Sequence, residues 1–379
     1  MDSKTRRHDI TSKSWWAKRG GGWFWLVLLV LLAPTLPAQA APPPVTTNPP
    51  CGPATGPGTP VTTNVILTTD ITCTDAPWIQ IAADNITVNL NGKIVTCSAP
   101  DGYQGSCQEF PDNDDIAIDT NGHKNITIIG SSPGEDKSGG ESGVLKGFDV
   151  GVAVNGGTKV KVLGVTVTGP HDFSARPSSQ GVRVTGVACP PPQPNNGGDK
   201  GEVNKPASND NGDEGHFAVQ IAGNNISYQT EGIELSKANC VAVLQNIVHD
   251  NSSTPIQCEG IVLEDSAHNV IASNVVFANG ENFAIDGGIV VDGAGSTSNL
   301  VAGNKVNDNN GDGISLRDSA SGNAVVENEM LFNGEANPGV FHDADEKFTA
   351  AIESNTWKDN ECKTFSTPNP GASACAEDE

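Results

Sequence analysis

Four charged residues occupy matching places in short, similar segments of this chain: Arg183 in QGVRVT, Glu231 and Glu234 in EGIELS, and Glu259 at the head of EGIVLED. Each segment carries apolar residues at alternate positions. If Ile233 and Leu235 point inward, Glu234 points outward, and the equivalent outward slots of the neighbouring segments are Arg183, Val262, Val290 and Ser315. Two residues further on the outward slots read Thr185, Ser236, Glu264, Asp292 and Arg317. Just before the Gly they read Gln180, Glu231, Glu259, Gly287 and Asp312. Stacking the segments one strand apart sets Arg183 beside Glu234 and Glu231 beside Glu259. Carboxylates about 4.8 Å apart do not both ionise freely, so one pKa rises or a cation intervenes. A raised acid beside an ionised partner suits glycoside hydrolysis. Ca²⁺ held between carboxylates would instead bridge to a uronate in a lyase or epimerase, with Arg183 neutralising the sugar carboxylate. The plainer reading is that exposed Glu and Arg solvate a face and set its register.

Two further features border this set. His171 and Asp172, in GPHDFSAR, are a candidate acid/base pair on a loop. Between GVRV and the next strand lies an insertion rich in Pro, Asn, Gly and charge, residues 188–216, which emerges beside Arg183 and could overhang the same face.

What positions these residues is a repeat. Asn returns five residues after Asn in NIVHDN (Asn246 to Asn251), NVVFAN (Asn274 to Asn279), NKVNDN (Asn304 to Asn309), NEMLFN (Asn328 to Asn333) and NTWKDN (Asn355 to Asn360). The first members are 28, 30, 24 and 27 residues apart, and a recurring period of this length marks stacked structural units. Each unit also holds a G-I-x-L-type segment and a second alternating run such as CVAVLQN or SNLVAGN. Alternation over four or five residues is a strand with one buried face. Such strands cannot bury that face alone, but coiled into a solenoid each lies on its equivalent one turn away, and Val, Ile and Leu fill the interior. Asn at the corners tolerates the left-handed conformation and can run an amide ladder along the axis. Gln229 takes the amide slot in the coil of Asn224. Looser runs such as IQIAADNITVNLNGKIVTC extend the pattern toward the N-terminus, giving about nine or ten coils.

The remainder of the chain bounds its setting. Residues 1–40 carry six basic residues, the apolar run WFWLVLLVLLA and an Ala38-Gln39-Ala40 cleavage pattern, which reads as a signal peptide with an uncleaved anchor as the alternative. Residues 41–60 read as a Pro/Thr/Gly-rich linker, 61–361 as the repeat body and 362–379 as a C-terminal tail. The full chain has 22 basic and 45 acidic residues. Without the leader 16 basic remain against 43 acidic, a net of about −27, which repels nucleic acid and anionic lipid. All nine cysteines lie beyond the leader, where disulfides persist. Nearest neighbours suggest Cys51–Cys73, Cys97–Cys107, Cys240–Cys258 and Cys362–Cys375, with Cys189 left over, although spacing does not settle connectivity. No C-x-x-C or H-E-x-x-H supports zinc.

DNITVNLNGKIV (Asp84 to Val95), together with the G-I-x-L and N-x-V-x-x-N units, resembles the right-handed parallel β-helix proteins of the pectate-lyase-like superfamily, close to their carbohydrate-binding and sugar-hydrolysis repeat proteins and the NosD-like proteins. The resemblance implies an all-β, single-stranded solenoid over about residues 61 to 360 and an activity on polysaccharides by lysis, epimerisation or hydrolysis. GPHDFSAR also resembles the D-P-H segment of β-helix mannuronan epimerases, but Gly169 stands where that Asp would and no Tyr-Gly precedes it. The R-x-P-x-x-R of pectate lyases and the paired-Asp motifs of polygalacturonases are missing. The expectation is therefore an exported (secreted, periplasmic or envelope) monomeric β-helix that binds or processes a polysaccharide, with no nucleic acid partner and no membrane contact after leader removal. Arg183, Glu231, Glu234 and Glu259 are the preferred site, and His171 and Asp172 the outlying pair. The rival expectation is a non-catalytic envelope or surface rod serving adhesion or scaffolding.

Overall fold

The computed structural model describes residues 48–53, 56–74, 76–98, 115–131, 142–169, 179–191, 217–252, 258–280, 287–334, 342–346, 354–366 and 375. Its strands form three parallel sheets, of eleven, ten and ten strands, and consecutive strands of the chain go to different sheets in rotation. Every strand pairs with its counterpart one coil away, so the chain winds as a parallel β-helix of ten full coils with an eleventh begun. The first sheet contains Val150–Asn155, Gln180–Thr185, Glu231–Ser236, Ile261–Glu264, Ile289–Asp292 and Ile314–Leu316 in order. Apolar residues of all three sheets, among them Val182, Val184, Ile233, Leu235, Ile261 and Leu263, fill one continuous interior. The Gly of the G-I-x-L segment is needed by that packing. A Cβ on Gly260 would stand 2.6 Å from Val276 Cγ1 and 2.9 Å from Asn279 Nδ2.

The asparagines form axial ladders, and their register differs from the sequence expectation at one end. One ladder runs Asn224, Asn246, Asn274, Asn304, Asn328, Asn360, each Nδ2 donating to the next Oδ1 at 2.9–3.0 Å. A second runs Asn251, Asn279, Asn309, Asn333 and ends on Asp343. A third joins Asn299, Asn323 and Asn355. Four of the five expected pairs superpose, but Asn355–Asn360 does not. It stacks on Asn323–Asn328, which also lie five residues apart, because the coil from Asn328 to Asn360 spans 32 residues. Of the two expected reasons for Asn, the amide ladder holds and the left-handed corner does not. In the ladders the left-handed backbone belongs to the preceding residue, such as Gln245 (φ 55), Ser273 (φ 58), Ala278 (φ 54) and Glu327 (φ 55). The ladder Asn is there for its amide, which also donates to the main chain of the preceding coil, as Asn304 does to Ile271 O at 2.8 Å.

Ladder ends are handled individually. Asp343 accepts from Asn333 and, through its other oxygen, from Lys363 N, Thr364 N and Thr364 Oγ1. Gln229 meets the ladder through its backbone N–H, which donates to Asn251 Oδ1 at 3.0 Å. Both side-chain amide atoms of Gln229 are buried without a hydrogen-bond partner among the described residues, so the extra methylene stops the ladder there.

Both ends of the rod reach past the expected boundaries. Residues 48–60 do not form a free spacer over their described part: Thr59–Val61 pairs with Ile79–Ile81, Gly52 N donates to Pro77 O, and Trp78 Nε1 donates to Pro49 O. At the other end Phe365–Ser366 pairs with the strand at Ala344, so the first part of the 362–379 tail is also sheet. Cys51–Cys73 and Cys362–Cys375 form as expected. Cys97 is disulfide-bonded, and Cys107 lies outside the described residues. The expected Cys240–Cys258 pairing is overturned: Cys240 bonds Cys189, tying down the start of the 188–216 insertion, and Cys258 is a buried thiol outside any disulfide. Sequence proximity misleads here because neighbours across coils are separated by a whole turn of chain.

Candidate functional site

Strand register decides which side chains share the outer face of the first sheet. Gln180 pairs with Glu231, Arg183 with Glu234, and Thr185 with Ser236. One coil on, Glu234 pairs with Val262 and Ser236 with Glu264, and then Val262 pairs with Val290 and Glu264 with Asp292. Val290 in turn pairs with Ser315. The stacking read from alternation is the observed register for these columns, and Arg183 lies one coil from Glu234.

Burial divides this face in a way the alternation did not indicate. Arg183, Glu231, Glu234, Ser236 and Asp292 are partly exposed and Glu264 is exposed. Val262, Val290 and Ser315 are buried although they stand outside the core cluster. Glu259, expected beside Glu231 on an open face, is 3% exposed. Its Oε1 lies 3.6 Å from Arg317 Nη2, a guanidinium that is itself nearly buried and reaches back from two coils away. Glu259 is thus half of an internal ion pair. His171, Asp172 and most of the insertion (192–216) lie outside the described residues.

The electrostatics follow from this packing. Burial, followed by repulsion from Glu234 and Glu264, pushes the Glu231 carboxyl up to about 8, against a hydrogen bond from Gln180 (3.5 Å) and the charge of Arg183. Burial and then the neighbouring Asp292 and Asp265 raise Glu264, while Arg317 opposes the rise. Burial also raises Asp292, again opposed by Arg317 and reinforced by Asp318. The face therefore holds a carboxylic acid, Glu231, beside carboxylates, with Arg183 and Arg317 as its cations. Glu264, Asp292 and Arg317 were legible as outward slots but not as partners of the site. The signal that would have found them is their shared column two residues beyond Arg183 and Glu234.

Glu231 makes stability depend on pH. Its value is 4.5 unfolded and about 8 folded, so across that window the folded chain binds more protons. The associated stability is present below pH 4.5 and is lost as pH rises toward 8. Thermal unfolding followed by circular dichroism should show a shallower decline in Tm from pH 5 to 8 in Glu231→Gln than in the native chain. Equal slopes would mean that Glu231 titrates normally.

The donors are spread along the axis, about 4.8 Å per coil. Among the described residues no three His, Cys, Asp or Glu converge to hold a metal ion. The set does not fit Ca²⁺, which takes six to eight oxygens around one point.

Comparison with known proteins bears on the fold. Residues 205–365 match the family described as right handed beta helix region. No curated protein sequence matches the chain. Among solved structures, the periplasmic alginate epimerase AlgG is similar at 12% identity, covering 81% of this chain and 74% of that one with a TM-score of 0.40. A single-substitution variant of that epimerase is similar at 12% identity over the same shares, with a TM-score of 0.38.

Proposed function

On a right-handed parallel β-helix of the three-sheet, pectate-lyase-like kind, we propose that the outer face of the first sheet binds a polysaccharide and cleaves its glycosidic bonds by acid–base chemistry. The observation that carries this reading is a carboxyl kept protonated at neutral pH, Glu231, on the same face and strand as Glu234. Glu231 donates its proton to the leaving glycosidic oxygen. Glu234 accepts a proton from the attacking water or attacks the anomeric carbon itself. Gln180 donates to the Glu231 carboxyl at 3.5 Å, and the charge of Arg183 limits the rise in its pKa. Elimination or epimerisation of a uronate would need Arg183 on the sugar carboxylate, since Arg317 is already engaged by Glu259, and Arg183 also acts on Glu231. The leader and the disulfides support an exported protein working outside the cytoplasm.

Release of reducing ends from a panel of neutral, amino-sugar and uronate polysaccharides tests the proposal. Glu231→Gln should lower kcat by roughly 100-fold or more, as for loss of a general acid, while the circular dichroism spectrum stays native. Activity of the native chain should fall above about pH 8 as Glu231 loses its proton. No turnover on any polymer would remove the enzyme reading and leave a non-catalytic rod.

A further inference from the structure

Against the monomer expected from sequence, we propose that the outer face of the second sheet is an interface for a second copy of this chain, the two rods lying side by side and pointing the same way. The sheet runs through Val160–Leu163, Val219–Ala222, Val241–Leu244, Val270–Ala272, Leu300–Ala302 and Ala324–Val326. The middle residues, such as Val243, Ile271 and Val301, belong to the core, so alternation turns the residues on either side of them outward. Register stacks these in two columns, from Lys161 to Ala324 and from Leu163 to Val326. All of them are partly exposed except Ala242, which is buried.

Three features of this face select its occupant. The first is charge. The chain has 45 acidic residues against 22 basic, yet neither column holds an Asp or Glu. Nor do the corner residues along its edges, Cys240, His268 and Ser298 on one side and Gln245, Ser273 and Gly303 on the other. Acids stand instead on the first sheet, as Glu231 and Glu264 do, and on the third, as Glu329 and Glu361 do. Two acidic rods therefore meet through the second sheet without setting carboxylate against carboxylate. The second feature is shape. In each of the five coils from Gln220–Ala222 to Ala324–Val326 one outward residue is Ala and the other is larger. A two-fold axis along the rod lays coil on coil and exchanges the columns, so that Leu244 of one copy lies over Ala242 of the other and Val270 over Ala272, the interdigitation that two sheets packed about 10 Å apart require. Turning one rod end for end about the central coil would set Val270 on Val270 and Ala272 on Ala272. The third feature is extent. The apolar surface continues past Gln245 and Ser273 to Ile247 and Val275, which are 43% and 36% exposed. From strand spacing and rise it measures roughly 30 Å by 15 Å, about 450 Å² a copy. A pair then buries about 900 Å², which places the association among weak, concentration-dependent dimers.

Sedimentation velocity of the full chain tests the proposal. A monomer–dimer equilibrium in the micromolar range should appear, and it should tighten about 10-fold between low salt and about 0.5 M NaCl as the net charge of −23 is screened. Ala302→Leu sets leucine against Leu300 of the second copy while adding apolar surface. It should weaken the dimer about 10-fold or more with an unchanged circular dichroism spectrum, whereas association driven by apolar area alone would tighten. Combining Ala302→Leu with Leu300→Ala exchanges large and small within one coil, and should restore the native association. A chain that stays monomeric at about 100 µM and high salt overturns the proposal. So does association that survives Ala302→Leu, which would run through another surface, or one that the exchange fails to restore. The proposal stands apart from the polysaccharide reading, since cleavage of a polymer at the first sheet is unaffected by any of these outcomes.

Discussion

Replacing Asn304 by leucine should be among the most damaging single changes in the rod. Asn304 Nδ2 donates to Asn328 Oδ1 at 2.9 Å and to Ile271 O at 2.8 Å. Its Oδ1 accepts from both Asn274 N and Asn274 Nδ2, each at 2.9 Å. Leucine fills similar space but withdraws these partners from Ile271 O, Asn274 N and Asn274 Nδ2 in the interior, where Asn304 is 1% exposed, and leaves Asn328 Oδ1 only the backbone N–H of residue 304. At about 1–3 kcal/mol for each buried group left without a partner, and with partial relaxation, the loss should be about 3–6 kcal/mol by urea unfolding. Asn304→Asp is the control for shape: it keeps the acceptor, removes both donors and buries a charge, so it should be no milder. A loss below about 1 kcal/mol for the leucine variant would mean that the ladders follow from the coil and do little to hold it.

Arg317→Ala should be comparably severe for a different reason. Arg317 is 8% exposed and its Nη2 lies 3.6 Å from Glu259, so the substitution withdraws the cation facing a carboxylate that is 3% exposed. Removing one partner of a buried pair costs about 3–5 kcal/mol, whereas replacing both by apolar residues is often near neutral. An Arg317→Met, Glu259→Met double variant should therefore recover most of the loss by urea unfolding. The single variant should also raise the carboxyl pKa values of Glu264 and Asp292 further, since Arg317 opposes their rise, and carboxyl chemical shifts report this directly. If those carboxyls titrate as before, Arg317 acts on Glu259 alone.

The difference between Asn304 and Arg317 shows what could be read in the chain and what could not. The two-residue alternation of GIELS and GIVLED is a local property, and it correctly assigned inward Ile233 and Leu235 and outward Arg183, Glu234 and Glu264. The recurrence of Asn at 28, 30 and 24 residues was enough to stack Asn246, Asn274, Asn304 and Asn328, because equal chemistry at each turn is what a ladder requires. It failed at Asn355, where a longer coil moved an identical five-residue spacing onto the neighbouring corner. Spacing reports a period, but which corner a residue occupies depends on how much chain each turn consumes.

The sequence by itself determined the parallel coils, the sealed aliphatic interior, most of the amide ladders and which residues stack in each column, since all of these follow from short-range pattern repeated many times. The tertiary structure alone decided that Glu259 is buried against Arg317, that Cys189 bonds Cys240, and that Glu231 keeps its proton amid Glu234 and Glu264. Those outcomes depend on distances between coils and on the water excluded between them. Charge interaction and desolvation act through space, and no periodicity in the chain encodes them.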